Sequence, residues 1–105
     1  MGVISKQTEL FSTFDADTLF SILVEFASLK CLSHEVVEGK YKVKMTFIVG
    51  KGKNNQNIVM TAKIMKVDEG KVCLDVQRVD GDVFAFHYSF KEIKDYLGEL
   101  IDATY

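Results

Sequence analysis

Every second residue from Tyr41 to Val49 is apolar, which leaves few structures open to this part of the chain. The residues between them are mostly lysine or threonine: Lys40, Lys42, Lys44, Thr46 and Ile48. Because side chains of a β-strand point alternately to opposite faces, this pattern predicts a strand over residues 40–49. One of its faces is expected to be buried, and the other to be exposed and basic.

Further strands are predicted on both sides of this one. Residues 58–67 and the alternating Val72, Leu74 and Val76 follow it, separated by a turn at residues 68–71, and are expected to form successive hairpins. A short edge strand is expected at residues 9–13, and residues 83–86 are expected to form a last strand after a tight turn at residues 80–82. Residues 50–57 have turn composition and predict an exposed basic loop.

Two amphipathic helices are predicted from apolar residues spaced three and four apart. The first runs from Asp15, its expected cap, to about Leu32, with an apolar face of Leu19, Ile22, Leu23, Phe26 and Leu29. The second is expected to begin at Phe90, because Ser89 and Glu92 have the spacing of a capping box; its apolar face is Ile93, Tyr96, Leu97, Leu100 and Ile101. Together these elements predict an α+β fold, an antiparallel sheet of four to five strands with two helices packed on one face.

Length and composition predict one domain over residues 1–105, with a core at about 9–101. The chain has 105 residues, of which 48% are hydrophobic, and this suffices for one core. No apolar run approaches the roughly 20 residues that span a bilayer, so a cytoplasmic protein is expected. Cys31 and Cys73 are too few for a disulfide framework and lack metal-ligand spacing, so both are expected to be reduced.

No combination of residues predicts catalysis. His34 and His87 are far apart and lack partners at metal-ligand spacing, and Ser89 is better explained as a helix cap than as a nucleophile. Residues 50–53 lack the spacing and the ending of a phosphate-binding P-loop. We therefore expect a non-catalytic, monomeric domain that holds neither a metal nor a cofactor.

Charge is distributed unevenly, although the net charge is only −2. Residues 40–78 carry nine lysines and arginines against three acidic residues, whereas the rest of the chain carries four against twelve. Such asymmetry bears on the choice of partner rather than on the fold. A nucleic-acid partner is not expected, because the alternation places Tyr41 and Phe47 on the face opposite the lysines.

Three segments carry a resemblance to a known family: residues 29–30, 39–44 (GKYKVK) and 74–86 (LDVQRVDGDVFAF). Over residues 9–101 the chain resembles the kinase-associated domain. This C-terminal regulatory domain is shared by Ser/Thr kinases such as the microtubule-affinity-regulating, fungal septin-associated, checkpoint and plant calcineurin-B-like-interacting kinases. The resemblance implies two helices on a curved antiparallel sheet in a non-catalytic part of a kinase.

The resemblance also implies two functions. Family members bind anionic phospholipids such as phosphatidylserine at the inner face of the plasma membrane, or dock on their own catalytic domain and inhibit it. Arg78 matches a basic position of the lipid-binding members, and the expected lipid-binding residues here are Lys40, Lys42, Lys44, Lys51, Lys53, Lys63 and Arg78. The alternative is that these lysines only solvate an exposed sheet face and protect its edges.

Overall fold

Five antiparallel strands and two helices make up the fold in a computed structural model, which describes residues 9–37, 39–50 and 56–101. In chain order the elements are β1 (Glu9–Ser12), α1 (Ala16–Lys30), β2 (Ser33–Val37), β3 (Lys42–Val49), β4 (Gln56–Asp68), β5 (Lys71–Asp80) and α2 (Val83–Leu97). A 3₁₀ helix, Gly98–Leu100, follows α2. The strand order is β1-β5-β4-β3-β2, so that β1 and β2 form the two edges. The predicted α+β fold is confirmed.

One face of the sheet carries the core and is covered by the helices. The alternation in β3 buries Val43, Met45 and Phe47, while Lys44 and Ile48 on the other face are exposed. Phe26 of α1 packs between the sheet and α2. Its ring centroid is 5.7 Å from that of Phe47 in β3 and 5.1 Å from that of Tyr96 in α2. The sheet therefore has a helix-covered face and an open face.

The first helix begins where the sequence predicts. The side chain of Asp15 accepts hydrogen bonds from the main-chain N–H and the hydroxyl of Thr18, and these bonds hold the pKa of Asp15 below its ordinary value. Leu19, Leu23, Phe26 and Ala27 form the buried face of α1. The predicted edge strand near residue 9 is also confirmed, because β1 pairs with β5 alone.

The prediction for residues 83–90 is wrong. Residues 83–86 are not a strand but the first turn of α2, which begins at Val83 rather than at Phe90. Asp82 is the N-cap, since its side chain accepts a hydrogen bond from the main-chain N–H of Ala85 at 3.0 Å. Ser89 is buried inside the helix and donates its hydroxyl to the carbonyl of Ala85.

The cap can be tested by two substitutions. Asp82→Ala should lower the free energy of unfolding by about 1 kcal/mol, because it leaves a main-chain donor of the first turn without its partner. Glu92→Ala removes the residue that a capping box at Ser89 would need, and should leave stability almost unchanged. Urea unfolding followed by circular dichroism measures both values, and a larger loss for Glu92→Ala would contradict this assignment of the cap.

Three smaller differences from the predictions bear on the site. Strand β2 was not predicted, Lys40 lies in the turn before β3, and Gln56 and Asn57 belong to β4 rather than to a loop. Residues 51–55 of the predicted basic loop lie outside the described residues. Leu100 and Ile101 lie beyond the end of α2 at Leu97, but they still pack against the core.

Candidate functional site

Three of the predicted lipid-binding lysines lie together on the open face of the sheet. Lys42 and Lys63 are directly opposite each other in the β3–β4 ladder, and Lys44 follows Lys42 two residues along β3 on the same face. Side chains at directly opposite positions have Cβ atoms about 5 Å apart, and like charges there destabilise a sheet. We call Lys42, Lys44 and Lys63 the lysine column.

Acidic side chains flank the lysine column on the neighbouring strands. Glu35 of β2 is directly opposite Lys44, and Asp75 of β5 is directly opposite Lys63. Glu35 is exposed, whereas Asp75 is only 9% exposed and its carboxylate accepts a hydrogen bond from Gln77. Of these two carboxylates, Glu35 therefore offers the stronger opposition to an anion approaching from solvent.

The other predicted site residues are not part of the lysine column. Lys40 is exposed in the turn between β2 and β3, and Lys51 and Lys53 lie outside the described residues. Arg78 is opposite the buried Met60 in the β4–β5 ladder, on the helix-covered side of the sheet, and its guanidinium donates to the carbonyl of Gly81. Arg78 and the lysine column therefore lie on opposite sides of the sheet.

A second surface feature, which the sequence did not predict, is a concentration of exposed apolar side chains at one end of the fold. There the end of α1, the end of β3, the end of β5 and the start of α2 meet. Seven of the eleven large apolar side chains exposed among the described residues belong to these segments: Leu29, Leu32, Ile48, Val79, Val83, Phe84 and Tyr88. We call this set the apolar end.

A groove of about 480 Å³ runs through the apolar end. Ile48 and Tyr88 line it together with Lys30 and Glu92. Phe84, one helical turn before Tyr88, is 84% exposed and adds the largest exposed fraction to the apolar end. The helical spacing of Phe84 and Tyr88 would have indicated this surface, had residues 83–86 been assigned to α2.

The two cysteines lack the features of reactive thiols. Cys73 is buried, and partial burial raises the pKa of the Cys31 thiol to about 12, so that it is protonated at neutral pH. Neither cysteine is part of a disulfide bond among the described residues. Among the described residues, no three side chains of His, Cys, Asp or Glu are grouped as metal ligands would be.

Both helices of the described residues, α1 and α2, are too short and too polar to span a bilayer. Comparison of the sequence with known protein families and with curated proteins finds no match.

Proposed function

We propose that this chain is a non-catalytic regulatory domain of a Ser/Thr protein kinase, of the kinase-associated type, and that its open sheet face binds anionic phospholipid. Binding would place the domain peripherally at the cytoplasmic face of the plasma membrane. The resemblance of residues 74–86 and the order of elements in the fold are the grounds for the family. The observation that supports lipid binding is the lysine column.

Electrostatics makes the lysine column suitable for this role. Lys42 and Lys63 face each other without an intervening acid, so their repulsion is relieved when an anion binds between or above them. A lysine near an anionic membrane surface contributes about 1 kcal/mol, so three of them would contribute about 3 kcal/mol, or roughly a hundredfold in affinity. Lysine suits head groups of variable position, because its flexible ammonium group does not need fixed geometry.

Co-sedimentation with vesicles tests the proposal. The wild-type chain should bind vesicles containing phosphatidylserine but not neutral vesicles, and the binding should weaken with added salt, because the Debye length at 0.15 M is only about 8 Å. Lys42→Ala/Lys44→Ala/Lys63→Ala should reduce the affinity about a hundredfold. Glu35→Gln should strengthen binding several-fold, because it removes the exposed carboxylate opposite Lys44.

The matched control is Lys94→Ala, which removes an exposed lysine from α2 on the other side of the fold. Its binding should equal that of the wild type after the change in net charge is allowed for. Equal losses for Lys94→Ala and for each single lysine variant of the column would mean that overall charge, rather than this surface, attracts the membrane. Absence of wild-type binding would overturn the lipid proposal.

A second candidate function, docking on a kinase catalytic domain, is favoured by the apolar end. Its apolar side chains are accompanied by Lys30, Arg78 and Glu92, and an apolar centre with charged residues of both signs around it is typical of protein interfaces. The same vesicle experiment separates the candidates, because Phe84→Ser should leave lipid binding unchanged. Docking on a catalytic domain, by contrast, should be impaired by Phe84→Ser and persist without the lysine column.

A further inference from the structure

The outer edge of the sheet at β2 is open. Strand β2 pairs with β3 alone, and no described residue lies beyond it in the sheet. Four of its five residues are exposed, and only Val37 is half-buried. An edge of this kind offers main-chain donors and acceptors to another strand.

The pairing of the neighbouring strands shows which main-chain groups face outward. The carbonyl of Tyr41 accepts a hydrogen bond from β4, so the main-chain groups of Lys42, one residue later, face β2. Lys42 is opposite Val37, whose main-chain groups therefore face β3. By the same alternation, the N–H and C=O groups of Val36 and His34 point away from the sheet, where an added strand would bond to them.

Two common protections of an edge strand, lysine and proline, are missing from β2, although the strand is short and carries Glu35. Natural edge strands often carry lysine or proline, or are covered by another element. Residues 33–37 read Ser-His-Glu-Val-Val and contain neither lysine nor proline. The opposite edge, β1, differs because its four residues are all buried or half-buried.

An apolar groove of about 320 Å³ adjoins this edge on the helix-covered side. Phe20 of α1, Val36 and Tyr41 form its walls, and Lys40 lies at its rim. The rings of Phe20 and Tyr41 meet edge to face with centroids 5.5 Å apart, and the Tyr41 hydroxyl donates a hydrogen bond to Asp17. This bond raises the pKa of Tyr41 and fixes the wall of the groove.

We propose that the β2 edge and this groove bind an extended peptide segment of a partner protein, which adds a sixth strand to the sheet. Main-chain hydrogen bonds to His34 and Val36 would hold the strand, and an apolar side chain of the peptide would enter the groove. Lys40 at the rim selects for a carboxylate next to that side chain, while Asp17 is already engaged by Tyr41. None of the three residues of the lysine column belongs to this site, although β2 pairs with the strand that carries Lys42 and Lys44.

A second copy of the chain fits the same edge less well. If two β2 strands pair antiparallel with full overlap, Glu35 of one copy is directly opposite Glu35 of the other. Like charges at directly opposite positions disfavour that pairing. A foreign peptide can place a neutral or basic residue there, which favours it as the occupant.

The first stage of the test selects decapeptides from a random phage-displayed library on the purified 105-residue chain. We expect the enriched peptides to share an apolar residue with an acidic residue beside it, and to contain no proline within the paired segment. Hydrogen exchange should show the amide protons of His34 and Val36 becoming protected when a selected peptide binds. Enrichment of unrelated sequences, or protection confined to α2, would overturn the proposal.

The second stage measures affinities of a selected peptide by calorimetry. Val36→Pro removes the outward N–H but no hydrogen bond to β3, and edge strands tolerate proline there. Val36→Ala is its matched control, because it shortens the side chain and keeps the N–H. We expect Val36→Pro to bind about tenfold more weakly than Val36→Ala, and Lys40→Ala to lose several-fold in affinity for acidic peptides only.

N-methylation of the peptide gives the same information on the unaltered protein. Two peptides are compared, one methylated on the N–H groups of its odd-numbered residues and the other on those of its even-numbered residues. Only one of these sets faces β2, so one methylated peptide should lose binding and the other should keep it. Equal affinities of Val36→Pro and Val36→Ala together with tolerance of both methylated peptides would overturn strand addition. So would sedimentation equilibrium showing a dimer that selected peptides cannot dissociate.

Discussion

Phe26→Ala is expected to lower the free energy of unfolding by about 3–5 kcal/mol. Phe26 is 1% exposed, and its ring contacts Phe47 of β3 and Tyr96 of α2. The substitution removes the aromatic ring through which α1 contacts both β3 and α2, and leaves a cavity among these three elements. Urea or guanidinium unfolding, followed by circular dichroism, measures the loss.

Phe14→Ala is the matched control for this experiment. Phe14 is 42% exposed and follows β1, so truncation of its ring should lower stability by less than about 1 kcal/mol. If both variants lost the same amount, the core would not be organised around Phe26. A second check is the m-value, the slope of the free energy of unfolding against denaturant concentration. It should stay constant if the substitution changes stability alone.

Gly81→Ala is expected to destabilise the domain by about 2–4 kcal/mol. The backbone at Gly81 has φ of +112°, where residues with a Cβ are strained. A Cβ at this position would also lie 2.6 Å from Cδ1 of Ile58 and 2.9 Å from the main-chain oxygen of Asn57. Backbone strain and a steric clash of the added Cβ would therefore act together at Gly81, between the end of β5 and the start of α2.

Gly70→Ala separates these two effects. Gly70 has φ of +76°, but a Cβ there would meet nothing within 4 Å, so only the backbone strain remains. Its substitution should cost about 1 kcal/mol. Thermal unfolding of the two variants side by side gives the comparison, and an equal loss would show that the close approach of Gly81 to β4 is unimportant.

The sequence predicts those elements of the fold whose two faces differ. In β3 and α1 the buried residues recur at a fixed interval because one face of each packs on the core. Strand β2 was missed because both of its faces are largely exposed, so that Ser33, His34 and Glu35 show no alternation. An edge strand of this kind is defined by pairing with a neighbour, which a local pattern does not reveal.

The start of α2 was missed for a different reason. Val83 to Phe86 contains alternating large side chains that suit a strand, and Ser89 with Glu92 imitates a helix start. The actual helix is set by packing: Ala85, Phe86, Phe90 and Ile93 are all buried on one face, and Asp82 caps it. Tertiary contacts outweighed local propensity here.

The candidate site could be predicted only in part. Alternation correctly placed Lys42 and Lys44 on one face, but only the strand register brings Lys63 opposite Lys42. Arg78 lies on the helix-covered side because it continues the alternation of the buried Val72, Leu74 and Val76, before the register shift between Met60 and Val59. Charge alone did not separate Arg78 from the lysines, whereas the alternation of Val72, Leu74 and Val76 already assigns residue 78 to the apolar face.

The strand order also determines how the chain must assemble. Strands β2 to β5 follow one another through hairpins, and the turn between β4 and β5 has only two residues, Glu69 and Gly70. Strand β1 is different, because it pairs Glu9 with Asp75, 66 residues further along the chain. Bringing β1 to β5 closes a long loop of chain, and this costs conformational entropy. The cost is offset only when β5 is already in place to pair with β1. We therefore expect the hairpin ladder to form early in folding and the amino-terminal strand to attach last.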